Sequence, residues 1–416
     1  MARPGYDSVV LITGFPSFAA RKMLEHILEA EPRTLVYAVV LAAFAEQARA
    51  VVDALDERQA AGAGEQEQAA GAGEQGQAAG AGEGERRATP PLRARERVVL
   101  IEGDAAAMDL GLSGAEFRQL AREVDRIHHL AHASYLGVEP EIARALNVIG
   151  TAEVIELGRA CASLECLVHY STALVAGDRR GVVYEDELEC GQGFRSVVEE
   201  TRMQAEVVAR RAMRDVPIAV VRPTTVIGDS GTGEIDRMDG LYLLVLLIIA
   251  APAEIAIPLP GRGDAPLNVV PVDFVVRAAH AIGLNPRAPG RTFHLADPRP
   301  LPARRVFDLV ARVSGRRAAR GHIPSNLARA LLRTPGIERF VRSPRAFVEQ
   351  LTTPVRYDTR NADQALEGTG IACPPFDGYV DALVAAVQDR LRERRERRAA
   401  TEAEAEAEAE AKDSLS

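Results

Sequence analysis

Apolar residues in this chain come in short unbroken runs. The stretches at 8–14 (SVVLITG), 34–41 (TLVYAVVL), 98–104 (VVLIEGD), 127–131 (IHHLA), 166–171 (CLVHYS), 218–223 (IAVVRP) and 292–295 (TFHL) each read as a strand. Strict alternation would mark a sheet with one wet face, whereas continuous Val, Ile and Leu mark strands covered on both faces. Between the first runs, 19–30 and 46–58 place apolar residues at helical spacing. Strands alternating with helices predict an α/β fold, a doubly wound parallel sheet with a smaller carboxy-terminal substrate lobe.

The pattern also sets boundaries. Residues 1–59 and 87–229 form the strand-rich domain, 230–390 form the lobe together with the last sheet strand, and 391–416 are a charged tail. The stretch 60–86 is three nine-residue copies, AAGAGEQEQ, AAGAGEQGQ and AAGAGEGER, with nothing larger than Ala to bury. We expect a disordered insert there and a frayed, solvated tail at Thr401-(Glu-Ala)5. The run 241–258 is apolar but carries Pro252 and Glu254, so it predicts a buried helix and strand, with no membrane span.

Charge changes the picture little. Of the net charge of -9, the five Glu of 60–85 and the acidic end of the tail account for more than all, which leaves the folded body close to neutral. A nucleic-acid partner would need a clustered basic face, and none is present. The four Cys (161, 166, 190, 373) have neither C-x-x-C nor metal-type spacing, so reduced thiols and a cytoplasmic location are expected. Only Lys22 and Lys412 are lysines, so almost every cation is Arg.

The first candidate site is the turn Thr13-Gly14-Phe15-Pro16-Ser17-Phe18-Ala19-Ala20. It follows a strand and opens a helix, the context in which backbone N–H groups and a helix terminus receive a pyrophosphate. This is the Rossmann arrangement. The second is Thr172, in Ser171-Thr172-Ala173-Leu174-Val175-Ala176-Gly177 after a predicted strand. About 25 residues on lies Phe194-Arg195-Ser196-Val197-Val198-Glu199-Glu200-Thr201-Arg202, and no Tyr occurs between Tyr184 and Tyr242.

These motifs, with Gly103-Asp104, His129-Leu130-Ala131-His132, Asn147 and Arg222-Pro223, resemble in order those of extended short-chain dehydrogenases/reductases. The stretches 108–114, 191–194, 228–234 and 271–273 are similar to the thioester reductase and fatty-acyl reductase, or "male sterility", branch. The resemblance implies NAD(P) as cofactor and an acyl substrate held as a thioester on CoA or on a separate carrier protein. It implies cofactor contacts from Gly14, Phe15, Ser17, Phe18, Ala20, Asp104, Ala131, Arg202 and Pro223, and a catalytic Thr172.

The chain departs from the family pattern in two places. Of T-G-x-x-G-x-x-G it keeps the first Gly, with Ser17 and Ala20 at the others. Where the family has its proton-donating Tyr and, four residues on, its Lys, this chain has Val198 and Arg202. Val can move no proton, so the expectation is an oxidoreductase with impaired or altered catalysis or, alternatively, a cofactor-binding pseudoenzyme acting as sensor or docking protein. His132, Tyr135 and Tyr170 are the candidates for a substitute acid. After the second strand, Leu41-Ala42-Ala43-Phe44-Ala45 offers neither an acid for a ribose nor a base for a 2′-phosphate; Arg21 can serve the latter or equally be a solvated helix charge, and the resemblance alone favours NADP over NAD.

Overall fold

The computed structural model describes residues 5–73, 92–133, 138–235, 262–317 and 351–413, together with 242, 245, 248–249, 259–260 and 322–323. Seven strands form one parallel sheet: β1 (Ser8–Thr13), β2 (Thr34–Val40), β3 (Val98–Glu102), β4 (Arg126–His129), β5 (Cys166–Tyr170), β6 (Ile218–Pro223) and β7 (Thr292–Leu295). Their order is β7-β6-β5-β4-β1-β2-β3, so the chain reverses direction across the sheet between β1 and β4. In such sheets ligands sit beyond the strand carboxyl ends at that reversal. All seven sequence runs are strands, and β1, β2, β5, β6 and β7 consist of buried or half-buried residues throughout.

Helices cover both faces. On one face, α1 (Phe18–Ala30) packs with a helix at Val272–Leu284 against Val10, Ile12, Val36, Val168 and Val221. On the other, Gly150–Ala160 and Val197–Ala212 cover Leu11, Tyr37, Ile127, Leu167 and Val220. A second core lies in the carboxy-terminal lobe. There Val306, Phe307 and Val310 of the helix Ala303–Val313 meet Val380, Leu383, Val384 and Val387.

Helix extends into both segments expected to be disordered. The helix expected to end at Arg58 runs from Ala45 to Gly73, through the first copy of the insert and into the second; 74–91 lie outside the described residues. The tail is likewise helical, in one segment Val380–Asp413. Ala, Glu and Gln are strong helix formers, so an established helix propagates through them even with no apolar face to bury. The run 241–258 lies mostly outside the described residues; Tyr242, Val245 and Ile248 are helical and buried in the lobe core. Among the described residues, no helix is long and apolar enough to cross a membrane.

Candidate functional site

The turn after β1 is built by contact with β4. Gly14 has φ +82, and a Cβ there would lie 2.7 Å from the Ala131 nitrogen and the Leu130 carbonyl carbon, so no other residue fits. Phe15-Pro16 is a cis peptide, and the Ser17 N–H closes the turn on the Gly14 carbonyl at 3.0 Å. Phe15 and Ala20 are buried, and Phe18 is buried beneath the Arg21 guanidinium and the Lys22 ammonium. Ser17 is the exposed member; its hydroxyl makes no capping bond, and the first turn of α1 has no acid. Ala131 donates its N–H to Thr13 Oγ1 at 3.2 Å.

After β3, the half-buried Asp104 accepts the Ala106 N–H at 2.9 Å, holding the bend there. Asn147 is buried in a single π-helical turn, Ala145–Ile149; it accepts from Ala133 N–H and donates to Thr201 Oγ1, both at 2.8 Å. Leu41 and Phe44, after β2, are exposed. Arg21 lies 3.8 Å from Glu234, and Arg49 lies 3.8 Å from Glu102 at the end of β3.

Thr172 ends the β5 segment and caps the short turn that follows. Its hydroxyl accepts the Leu174 N–H at 3.2 Å and donates to the Pro223 carbonyl, at the end of β6, at 3.5 Å. The structure therefore brings Thr172 and Pro223 together. Val198, in the first turn of the helix Val197–Ala212, packs with the apolar Ala133, Val138 and Ala143. Arg202, one turn on, is buried and donates to the Tyr170 carbonyl. Burial lowers its pKa to about 9, against the opposing pull of Glu206.

The substitute acids fare differently. Tyr170 was expected on the Thr172 face, but its ring turns into the core on the α1 side, with its hydroxyl 3.3 Å from His128 Nδ1. Burial pushes its pKa well up, which makes it a weak proton donor. Strand pleating is the reason: residues 166, 168 and 170 face one layer, 167 and 169 the other, and the chain leaves the strand before Thr172. Tyr135 lies outside the described residues. His132 sits half-buried between Ala131 and Ala133, which touch the Gly14 turn and Val198 respectively.

Sequence reasoning missed the charged cluster behind Thr172. Glu206 is fully buried and receives Ser171 Oγ at 2.6 Å, Arg222 Nη2 at 2.7 Å and Arg210 Nε at 2.8 Å. Burial raises its pKa, but Arg222 more than cancels this and holds it at about 2. Arg222 also donates to the Glu187 carbonyl at 2.8 Å and to His294 Nε2 at 3.2 Å. Because Nε2 of His294 accepts, its Nδ1 carries the hydrogen and donates to the Asp358 carbonyl at 2.8 Å. One signal was readable: Val198, Arg202 and Glu206 recur every four residues, so they share one helix face.

With this geometry in place, the comparisons decide the family. The Male sterility protein family of NAD-binding domains matches residues 12–279. The chain belongs to this family. It is 26% identical over 212 residues to the fatty acyl-CoA reductase wat of Drosophila melanogaster, covering 44% of this chain and 40% of that protein. The terminal R domain from the myxalamid PKS-NRPS biosynthetic pathway superposes with a TM-score of 0.71 at 22% identity, covering 93% of this chain and 92% of that one. A thiolation-reductase di-domain from an archaeal non-ribosomal peptide synthetase gives 0.65 at 14% identity, over 92% and 75%. The chain spans less than half the length of the curated relatives it matches first. The matched stretch is a thioester- and fatty-acyl-reductase-like NAD(P)-binding domain of Rossmann fold.

Proposed function

We propose that this protein is an NAD(P)-dependent reductase of acyl groups held as thioesters on CoA or on a separate carrier protein, with its proton-transfer apparatus altered at Val198 and Arg202. The observation that carries the cofactor reading is the Gly14 turn seated on Ala131 at the amino terminus of α1. A helix terminus without an acid, with the exposed Ser17 hydroxyl beside it, suits a pyrophosphate. In this reading Gly14, Phe15, Ser17, Phe18, Ala20, Asp104, Ala131 and Pro223 line the cofactor, Ala20, Phe15 and Phe18 by shaping the turn from beneath. Arg202 acts from behind, through the Tyr170 carbonyl. Arg49 and Arg21 are the cations available to a 2′-phosphate, which favours NADP.

When bound, the reduced nicotinamide supplies hydride to the substrate carbonyl carbon. Thr172 donates a hydrogen bond to the carbonyl oxygen, exchanging its long bond to the Pro223 carbonyl for the substrate. No side chain at position 198 protonates that oxygen. For a thioester this is tolerable: the alkoxide left by hydride addition collapses, the carbon–sulfur bond breaks, and the thiolate leaves with the electron pair, giving an aldehyde. For the aldehyde it is not, because a second hydride leaves an alkoxide that must take a proton. General acid help is worth about 10²–10⁴ in rate, so the aldehyde is the expected product.

A second reading is favoured by the apolar packing of Val198 and the burial of Arg202: a domain that binds cofactor and docks a partner without turnover. Calorimetry with NADPH and NADH, followed by single-turnover oxidation of bound NADPH by an acyl-CoA, separates the two. Binding with aldehyde formation supports the reductase, and binding without oxidation supports the second reading. Absence of binding at millimolar concentration defeats both.

A further inference from the structure

Thr172 lies just past the end of β5 and Pro223 ends the neighbouring β6, and the residue before each of them is tied to the same carboxylate. Ser171 Oγ donates to Glu206 Oε2 at 2.6 Å. Arg222 donates to both oxygens of Glu206, through Nε at 2.9 Å to Oε2 and through Nη2 at 2.7 Å to Oε1. The strands are paired up to this point, with the Ser171 N–H on the Val221 carbonyl at 2.8 Å. Beyond it the ladder ends, and the side-chain clamp takes over. We infer that Glu206 is the positioning residue of the Thr172 site: it fixes the ends of β5 and β6, so that the Thr172 hydroxyl is aimed across the gap that the substrate carbonyl enters.

The chemistry fits that task. The carboxylate is fully buried and meets donors from Ser171, Arg222 and Arg210, so its charge is balanced and its orientation leaves little freedom. Arg222 is itself anchored on the far side by the Glu187 carbonyl and His294, which extends the clamp to β7. Serine at 171 matters for a separate reason. Among the described residues, its hydroxyl is the one side-chain link between Glu206 and the segment that carries Thr172, so the link can be cut while the Glu206–Arg222 pair stays whole.

This inference rests on the proposed role of Thr172 in polarising the substrate carbonyl. The test uses the full chain, NADPH and a medium-chain acyl-CoA. Ser171→Ala should lower kcat about threefold or more, and Glu206→Gln at least about tenfold, with KM and the NADPH Kd within about threefold of the parent. In a Thr172→Val background both losses should vanish, because residues acting through one group are not additive. Should Glu206→Gln fail to fold, the Ser171→Ala and Thr172→Val pair carries the same cycle. A Ser171→Ala variant at parental rate, or losses that persist in full with Thr172→Val, overturns the inference. If the parent binds NADPH but oxidises none, the catalytic reading fails by itself. The clamp is then read from the Thr172 methyl signal in threonine-methyl-labelled protein with NADPH: Ser171→Ala must shift it, and an unmoved signal overturns the inference.

Discussion

Gly14 and Ala131 meet through backbone alone: a Cβ on the one would fall 2.7 Å from the nitrogen of the other. This contact joins the turn after β1 to the end of β4, across the point where strand order reverses. It sets the helix terminus of α1 at the carboxyl edge of the sheet, with β4 between it and β5, the strand that Thr172 follows. Gly14→Ala should therefore fail twice, by steric overlap with immobile backbone and by its positive φ, a strain of about 1–3 kcal/mol before the overlap is counted. The expected result is a lower Tm and no measurable NADPH binding by calorimetry. Parental binding in this variant would show that the turn does not hold the cofactor.

Cofactor choice should rest on the surface cations near β2 and α1. Arg49→Ala is expected to weaken NADPH about fivefold or more and to leave NADH unchanged, with Arg21→Ala acting in the same direction. Equal losses for both cofactors would mean that these residues do not read the 2′-phosphate.

Restoring the missing acid tests the altered chemistry. Val198→Tyr with Arg202→Lys places a phenol where Val198 now packs on Ala133, Val138 and Ala143. Overpacking there should cost about 1–3 kcal/mol, read as a drop in Tm. Alcohol formation from an aldehyde substrate should rise at least about tenfold, while aldehyde formation from the acyl-CoA changes less. If the parent already makes alcohol at ordinary rates and His132→Ala abolishes it, the acid has moved to His132.

Stability should fall steeply on mild acidification. Burial holds His128 and His129 well below the ordinary imidazole range, and His169 and His294 at about 3. Each is neutral when folded but takes a proton when unfolded, so its contribution is intact above about pH 6.5. It is lost as the pH falls below that, for His169 and His294 down to about 3, by up to about 1.4 kcal/mol per pH unit per histidine. Glu185 runs the other way: burial raises it to about 7, despite the backbone N–H donors of His294, Asn361 and Ala362, and it offsets about one histidine between pH 7 and 4.5. Urea midpoints measured from pH 7 to 5 should decline throughout; a flat profile would contradict this balance.

The insert should be removable, but only between defined points. Gln59 accepts the Ala94 N–H at 3.0 Å, and Asp56 accepts the Arg95 N–H at 3.2 Å and pairs with Arg93. Replacing 62–91 with a short Gly/Ser linker keeps these bonds, and loop closure depends only weakly on length. Tm should stay within a few degrees, whereas cutting from Asp56 should lower it clearly.

Local pattern was enough for the framework. Unbroken Val, Ile and Leu runs specify strands buried on both faces, so the parallel sheet was readable along the chain, as was the Gly14 turn between a strand and a helix; Thr172 was marked by the family resemblance. In the insert and the tail only propensity speaks: Ala, Gln and Glu cannot make a core, yet they continue a helix already begun, which reaches Gly73 and Asp413. Which way Tyr170 faces was decided by the register of β5 and by His128 across the strand, since one residue of pleat reverses a side chain. The Glu206 clamp was decided by tertiary structure alone. Ser171, Glu206 and Arg222 are far apart in sequence, and a buried charge becomes tolerable only when folding brings its partners within hydrogen-bond reach.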